Sequence, residues 1–406
     1  MIAPSTKAPR RRFWKYLLLF TTALLLVLVV LAWYGTTASF QALVRRRLIA
    51  ELERVTGGQV ELGSFHTIPL NLQVEVRDVT VHGREGPGEV PYAHVDRFVA
   101  RIKIISLLGT EFGFHSILLD HPVVHFIVYS DGTTNQPQPK IPRAQKTPAE
   151  QLFSVSINRL DVQKGELLWD NQRVPFDFIA NDFFAGMWYS TFRQRFESYL
   201  ILGKVDTRFK DFRPFSSRVE AQFGLARDYI EISSLKWSSG RSHLEANGRV
   251  TDFRQPRVNG RYTGALDLVE VAAIARHHGM RQGMVELQGK GSWSLEQFAS
   301  DGSIQTRNLD FHDENISFRN ASLSSQFSVN DKELKLTGLQ GRLLGGAVSG
   351  DVELLNWLHS PLPLHPKARP EQAGQQTGTV RLRMKDVSIS ALAESVSTAA
   401  RLLDGM

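Results

Sequence analysis

Apolar and polar residues alternate with a period of two along most of this chain, which restricts it to sheet with one face toward water. Leu72, Val74 and Val76 alternate with Gln73, Glu75 and Arg77, and Phe98, Ala100, Ile102 and Ile104 with Val99, Arg101 and Lys103. Val285, Leu287, Gly289, Gly291 and Trp293 oppose Glu286, Gln288, Lys290 and Ser292. Val348, Gly350, Val352 and Leu354 then oppose Ser349, Asp351 and Glu353, and Val380, Leu382 and Met384 oppose Arg381, Arg383 and Lys385. Dipeptides that favour hairpin turns recur: Asp131-Gly132, Lys164-Gly165, Asn247-Gly248, Asn259-Gly260, Asp301-Gly302 and Gly345-Gly346. The pattern predicts an antiparallel, mainly β fold. One run, Ile117 to Tyr129 (ILLDHPVVHFIVY), is apolar on both faces and is expected to be covered on both.

Ahead of the strands, Tyr16 to Tyr34 (YLLLFTTALLLVLVVLAWY) form an uncharged run of 19 residues. About 20 helical residues cross a hydrocarbon core of ~30 Å. Trp14 and Tyr16 at one end, and Trp33 and Tyr34 at the other, suit the interfacial belts. A cleaved signal peptide would carry a shorter apolar core, about 7–15 residues, and small residues at the cleavage site. Thr37-Ala38-Ser39 matches such a site weakly, so an uncleaved transmembrane anchor is expected. Arg10, Arg11, Arg12 and Lys15 precede the run and hold residues 1–15 in the cytoplasm; Arg45, Arg46 and Arg47 lie on the other side but farther away.

Residues 39–56 read as an amphipathic helix: Ser39 is a candidate cap, Phe40, Val44, Leu48, Leu52 and Val55 share one face, and Gly57-Gly58 stops it. That helix is the expected cover for Ile117–Tyr129. A second short helix is predicted over Val269–His278, ended by Gly279, and a third over Ser390–Leu403, ended by Gly405. Each follows a strand and an aspartate, Asp267 and Asp386, which suggests a loose repeat. Two Pro-rich stretches, 135–148 and 359–378, read as mobile loops. The pattern stops just after a fresh strand and helix, as in the front part of a longer protein or a truncated one.

Composition and motifs narrow the chemistry. Five cations and no acid fall in residues 1–15, so the net charge of +7 over 406 residues drops to +2 for the remainder, and no nucleic-acid footprint is indicated. With no cysteine, disulfides, thiolate metal sites and cysteine nucleophiles are excluded. His121 and His125 are four apart, but in a strand that is ~13 Å, too far for one ion. His277-His278 suit a helix C-terminus, and Gly345-Gly346 suits a hairpin better than a phosphate loop. G-x-S-x-G, H-E-x-x-H and P-loop patterns are lacking. No catalytic, cofactor-binding or metal-binding residue is assigned, and an enzyme is the least supported class.

The order of parts resembles the AsmA-like group of bacterial envelope proteins, which includes TamB. The resemblance runs from the basic tail and anchor through the amphipathic helix to Gly58-Gln59-Val60-Glu61-Leu62-Gly63 and Asp78-Val79-Thr80-Val81. It continues in Leu119-Asp120-His121-Pro122-Val123-Val124, Asp131-Gly132-Thr133-Thr134-Asn135, Leu160–Leu167, and the Gly338–Gly341 and Gly346–Gly350 patterns. It implies a long sheet over residues 59–406, curled into a U-shaped groove with an apolar inner face, anchored in the inner membrane and reaching into the periplasm. The implied partners are membrane phospholipids, with outer-membrane or periplasmic proteins in addition. The implied role is passage of phospholipid between the membranes, with an assembly scaffold for outer-membrane barrel proteins as the alternative. On that reading the lipid-facing residues are Leu72, Val74, Val76, Phe98, Ile102, Ile104, Val285, Leu287, Trp293, Val348, Val352, Leu354, Val380 and Leu382. By pattern alone a closed sandwich fits equally well.

Overall fold

The computed structural model describes residues 10–35, 37–68, 71–86, 88–103, 113–137, 153, 156–173, 176–313, 317–357 and 376–387. The expected helix at Ser390–Leu403, Ile104, and the greater part of both Pro-rich stretches lie outside the described residues.

Two helices open the chain, α1 (Arg10–Gly35) and α2 (Ala38–Thr56). The strands follow as β1 (Gln59–Leu62), β2 (Phe65–Ile68), β3 (Gln73–His82), β4 (Ala93–Ile102), β5 (Gly113–Val128) and β6 (Ser156–Asn171). Next come β7 (Phe176–Ser190), β8 (Arg195–Phe209), β9 (Phe215–Leu225), β10 (Tyr229–Ser239), β11 (Ser242–Thr251) and β12 (Arg257–Asp267). A short helix, α3 (Leu268–Ile274), leads to β13 (Met280–Trp293), β14 (Phe298–His312), β15 (Ser317–Asn330), β16 (Glu333–Leu343), β17 (Gly346–Leu355) and β18 (Thr377–Lys385).

All 18 strands belong to one sheet. From β3 onward each pairs with its successor, antiparallel except for the parallel pair β5–β6. A parallel partner requires a crossover of a dozen or more residues, and the chain between Val128 and Ser156 supplies it. β1 and β2 lie end to end on the other side of β3, opposite Val79–His82 and Gln73–Val76. β18 forms the far edge, so the sheet is long and unclosed.

α2 starts one residue earlier than its sequence suggests. Thr37 rather than Ser39 is the cap, its hydroxyl accepting the Phe40 amide at 3.4 Å. Gly57 ends the helix in the left-handed region (φ 81°), where only glycine is unstrained. With Gly58 alone between this cap and β1, the helix folds straight back onto the adjoining edge and cannot reach β5. Val44, Leu48, Ile49 and Leu52 therefore pack on Val60, Leu62, Val74, Val76, Val79 and Val81, which form the tightest apolar cluster among the described residues. Arg45 Nη2 donates to the Leu62 carbonyl at 2.6 Å, and Glu53 Oε1 accepts the Val60 amide at 3.2 Å.

The expectation that α2 covers Ile117–Tyr129 is thus corrected. Part of the two-sided apolar character comes from the left-handed residue His121 (φ 51°), at which the faces exchange while the register to β4 and β6 stays the same. Before it Ile117 faces Leu160 of β6, and after it Phe126 faces Trp169, both on the apolar side. The run's polar side is tied down by Asn135, which is fully buried. Asn135 Nδ2 donates to the His125 carbonyl at 2.8 Å and Oδ1 accepts the Ile127 amide at 2.9 Å. The beginning of the 135–148 stretch is therefore pinned to β5.

Four of the six expected turns fall inside strands. Lys164-Gly165, Asn247-Gly248, Asn259-Gly260 and Asp301-Gly302 belong to β6, β11, β12 and β14. Lys164 is a bulge (φ 52°), and Gly165 makes room for the Phe183 ring, which would lie 2.3 Å from a Cβ there. A Cβ at Gly302 would stand 2.1 Å from the Gln288 carbonyl oxygen, so close backbone approach, not a turn, requires that glycine. The hairpin between β16 and β17 does carry its turn at the expected place, with Leu344 and Gly345 both at positive φ.

α3 ends at Ile274, sooner than His278, after which Arg276 turns left-handed (φ 57°) and His277-His278 lie beyond the helix. Asp267 caps it, accepting the Val269 amide at 2.9 Å, whereas Asp386 adopts φ 58° and caps no described helix. The two aspartates therefore differ in conformation, and the helix expected after Asp386 lies outside the described residues.

Val76 is fully buried beneath α2. Val76→Ala should cost about 2 kcal/mol through lost burial and a cavity, read as a lower denaturation midpoint. An unchanged midpoint would show that α2 does not close this cluster.

Candidate functional site

The strand registers connect one row of mainly aliphatic, aromatic and glycine positions, interrupted by Ser198 and Ser300, across the whole sheet. It runs Val74, Ala100, Ile117, Leu160, Met187, Ser198, Phe223 and Ile232 from β3 to β10. It continues Gly248, Gly260, Gly291, Ser300, Val329, Leu334, Leu354 and Gly378 from β11 to β18. These positions are buried or half-buried as far as β17. One residue over, on the other face, stand Gln73, Arg101, Ser116, Arg159, Trp188 and Glu197, then Gly224, Glu231, Arg249, Asn259, Ser292 and Ala299. The face is set by side-chain direction, because paired residues in a ladder point to the same side.

Aromatic rings widen the apolar side over β5–β8. Phe126 lies 4.5 Å from Trp169, Trp169 6.2 Å from Phe178, and Phe176 6.1 Å from Phe209, in tilted or edge contacts. Phe196 is buried against Tyr189 and Phe153, with centroids at 5.3 and 5.0 Å.

The expected lipid-facing residues divide into three groups. Val74 and Val76 are buried and Phe98 and Ile102 pack against them, so these four belong to the cluster under α2, where the surface is already covered. Leu72 sits just before β3 with φ 48°, and its carbonyl accepts the Ile102 amide. Val285, Leu287, Trp293, Val348, Val352 and Leu354 lie on the apolar face of β13 and β17, Val285 and Val348 buried and the others half-buried. Val380 and Leu382 lie on the same face at the open edge, 59% and 50% exposed. Ile117, Leu160, Met187, Phe223 and Ile232 belong to that face too, and the period-two reading missed them. His121, Lys164 and Asp182 adopt left-handed φ, and the faces exchange there, so the alternation is broken in sequence though continuous in space. The doublet Phe183-Phe184 in β7 is the trace such a shift leaves.

Of the expected anchor residues, all fall within α1. Among the described residues no helix is long and apolar enough to cross a membrane. The side chains of Leu24, Val27, Leu28, Val30, Leu31 and Ala32 lie outside the described set, and the span rests on the sequence.

Charge on the polar face is organised in cross-strand clamps. Arg195 bridges Glu197, at 3.0 Å, and Glu231 of β10, lying flat over Gly224 of the intervening β9. A Cβ at Gly224 would sit 2.4 Å from the guanidinium carbon. The hydrogen bond from Arg195 holds the Glu231 carboxyl below the usual carboxylate range. Burial pushes Glu197 upward, but the hydrogen bonds from Arg195 and Arg193 outweigh it and the net shift is downward. A second chain runs across β4–β6: His121 Nδ1 meets Asp96 at 2.7 Å and Nε2 meets Glu166 at 3.5 Å. The Asp96 hydrogen bond raises the His121 pKa, with Glu166 adding to it against desolvation. Two shallow hollows also lie on the polar face, one of about 720 Å³ bordered by Arg249, Arg261, Lys290 and Asp301. The other, about 760 Å³, is bordered by Glu245, Glu286 and Gln288. Both are furrows between rows of polar side chains, and the first contains the Arg249–Glu231 ion pair at 3.6 Å. Among the described residues no group of three or more His, Asp and Glu side chains is arranged to hold a metal ion.

No family model matches this chain, and no curated protein matches it.

Two pH dependences of opposite sign follow. The Arg195 clamp contributes stability above the ordinary carboxylate range and loses it as pH falls through the depressed Glu197 and Glu231 values. Arg195→Met should therefore lower the thermal midpoint at pH 7, with the gap to the parent closing toward pH 3. The His121 bridge is fully present below the ordinary imidazole pKa and lost as pH rises through the raised folded value. His121→Gln should cost most near pH 5.5 and little by pH 9. Gaps that do not move with pH would contradict both assignments.

Proposed function

We propose that this chain is a membrane-anchored envelope protein whose apolar sheet face binds phospholipid acyl chains and gives them a path along the sheet. The observation that carries this reading is a continuous register row from β3 to β18 of mainly aliphatic, aromatic and glycine positions, with Ser198 and Ser300 among them, one residue away from a mainly polar row. An apolar face has to be shielded from water by something. Here α2 covers only the β1–β3 end, and the face beyond β9 is half-buried without a second sheet in the hydrogen-bonding scheme. A curled sheet shields itself in part, and acyl chains would shield the remainder. Each buried CH₂ contributes about 0.8 kcal/mol, so a chain of roughly 16 carbons gains on the order of 10 kcal/mol before ordering costs. Such binding needs no catalytic group. The resemblance to AsmA-like proteins agrees with this reading and supplies its setting: α1 as a single inner-membrane span, the sheet in the periplasm curled into a U-shaped groove, and phospholipid moving between the two membranes. The position of α1 directly before α2 and β1 would put the covered end of the sheet next to the membrane surface.

The test is lipid binding by the full chain purified in mild detergent and exchanged against phospholipid. Mass spectrometry should find co-purified phospholipid, and a fluorescent phospholipid should bind. Leu287→Glu or Val352→Glu, on the apolar face, should weaken that binding at least about tenfold, a difference of ~1.4 kcal/mol. Lys290→Glu, on the opposite face, should leave it unchanged. A lipid-free protein that binds no fluorescent phospholipid, or equal effects from both faces, would refute the proposal.

A further inference from the structure

Arg227 and Lys210 stand at opposite ends of the apolar face, each held over an aromatic ring. Arg227, in the turn between β9 and β10, has its guanidinium carbon 5.7 Å from the ring centroid of Phe153. Phe153 in turn rests on Phe196 and Tyr189, with centroids at 5.0 and 6.2 Å. At the other end Lys210, just after β8, puts Nζ 5.4 Å from the ring centroid of Phe209. Phe209 stacks on Phe212 at 5.6 Å and meets Phe176 edge-on at 6.1 Å. Both cations are exposed, and among the described residues neither makes an ion pair. A cation drawn to a ring face stays at the rim of the apolar surface with its charge unneutralised.

The two ends belong to one strand. Phe196 and Phe209 lie at the start and finish of β8 on the same face, thirteen residues apart, which is about 43 Å along the strand. One step inside each ring comes a hydroxyl, Ser198 at one end and Thr207 at the other. Between those the floor is aliphatic, with Leu200, Leu202 and Val205 on β8 opposite Ala185 and Ala180 on β7 and Val219 on β9. From either end the order is therefore cation, aromatic ring, hydroxyl, aliphatic floor. A bilayer has the same order and nearly the same width, about 40–45 Å with its headgroups, with aromatic and cationic side chains at each interface.

We propose that Arg227 and Lys210 each hold the phosphate of a phospholipid whose acyl chains run inward along β7–β9, so that two lipids meet tail to tail near Leu202. The inference rests on the reading of the apolar face as an acyl-chain surface, and adds to it a headgroup class and a direction. The chains lie along the strands, across the long axis of the sheet. Because each rim presents an unneutralised cation, a phosphate-bearing lipid is favoured over a diacylglycerol with the same chains. Free phosphate is attracted by the same charge, but the lipid alone also gains the aliphatic floor.

Single cysteines carrying a fluorophore at Asp228, Asp211 and Leu202 test this in the full chain in mild detergent, since the chain has no cysteine of its own. A phospholipid with a nitroxide on its headgroup should quench the probes at Asp228 and Asp211, beside the two cations, and spare Leu202. One with the nitroxide at the chain end should do the reverse. R227Q should remove the headgroup quenching at Asp228, and K210Q that at Asp211, with circular dichroism confirming an intact sheet. Diacylglycerol should compete at least about tenfold more weakly than phospholipid of the same chains, and glycerol phosphate should not compete. Headgroup quenching that is equal at all three positions, or unmoved by R227Q and K210Q, would overturn the proposal while leaving acyl-chain binding in place. Competition by glycerol phosphate as strong as that by phospholipid would assign the cations to a soluble anion and overturn it too. Quenching by neither lipid would refute the acyl-chain reading itself, and this proposal with it.

Discussion

The backbone ladder that joins each strand to the next holds this structure together, since nearly all contacts between strands are made by strands adjacent in the chain. Each strand from β4 to β17 is bonded to its two neighbours in sequence, and side-chain direction is inherited across each pair. One consequence is that a single apolar residue type at a register position propagates into a row spanning the sheet. Another is that the hydrophobic face cannot be gathered into one compact core. Among the described residues the tightest cluster forms where α2 folds back on β1–β3, and α3 packs in addition on β12 and β13. Elsewhere the apolar side is flanked by aromatic rings and neighbouring rows, and remains mostly half-buried.

Much of this was legible in the sequence, and the failures have a common origin. Strands with a clean period, such as β13 (Met280–Trp293) and β17 (Gly346–Leu355), lie where the alternation puts them, with the expected faces. Through β5–β8 the period is interrupted at left-handed residues, and there the reading gives one two-sided apolar run and one false turn; the other three false turns lie in β11, β12 and β14. The sequence signal of a bulge is a polar residue tolerant of positive φ followed by doubled apolar residues, as in Asp182-Phe183-Phe184. Asn-Gly and Asp-Gly favour hairpins in general, yet Gly248 and Gly260 face each other in mid-sheet. Nothing local distinguishes that use of glycine from a turn; only the register of the adjoining strand does. The reach of α2 was misjudged for a related reason, since the two glycines that end it also limit where it can go.

The polar face does more than meet solvent. Arg195 joins β8 to β10 across β9, and His121 joins β4 to β6 across β5, so ionic groups tie strands that share no backbone bonds. The β5 crossing coincides with the left-handed residue His121 and the parallel pair, where the regular ladder is weakest.

The central claim is that one continuous face accepts acyl chains while the other does not. The chain has no cysteine, so single cysteines can be placed without background. Probes at Val258, Leu287 and Val352 on the apolar face, and at Asn259, Gln288 and Asp351 on the polar face, would each report quenching by a phospholipid carrying a spin-labelled acyl chain. The account predicts quenching that alternates with each residue, strong at the first three positions and absent at the second. Equal quenching at both sets, or none at either, would contradict it.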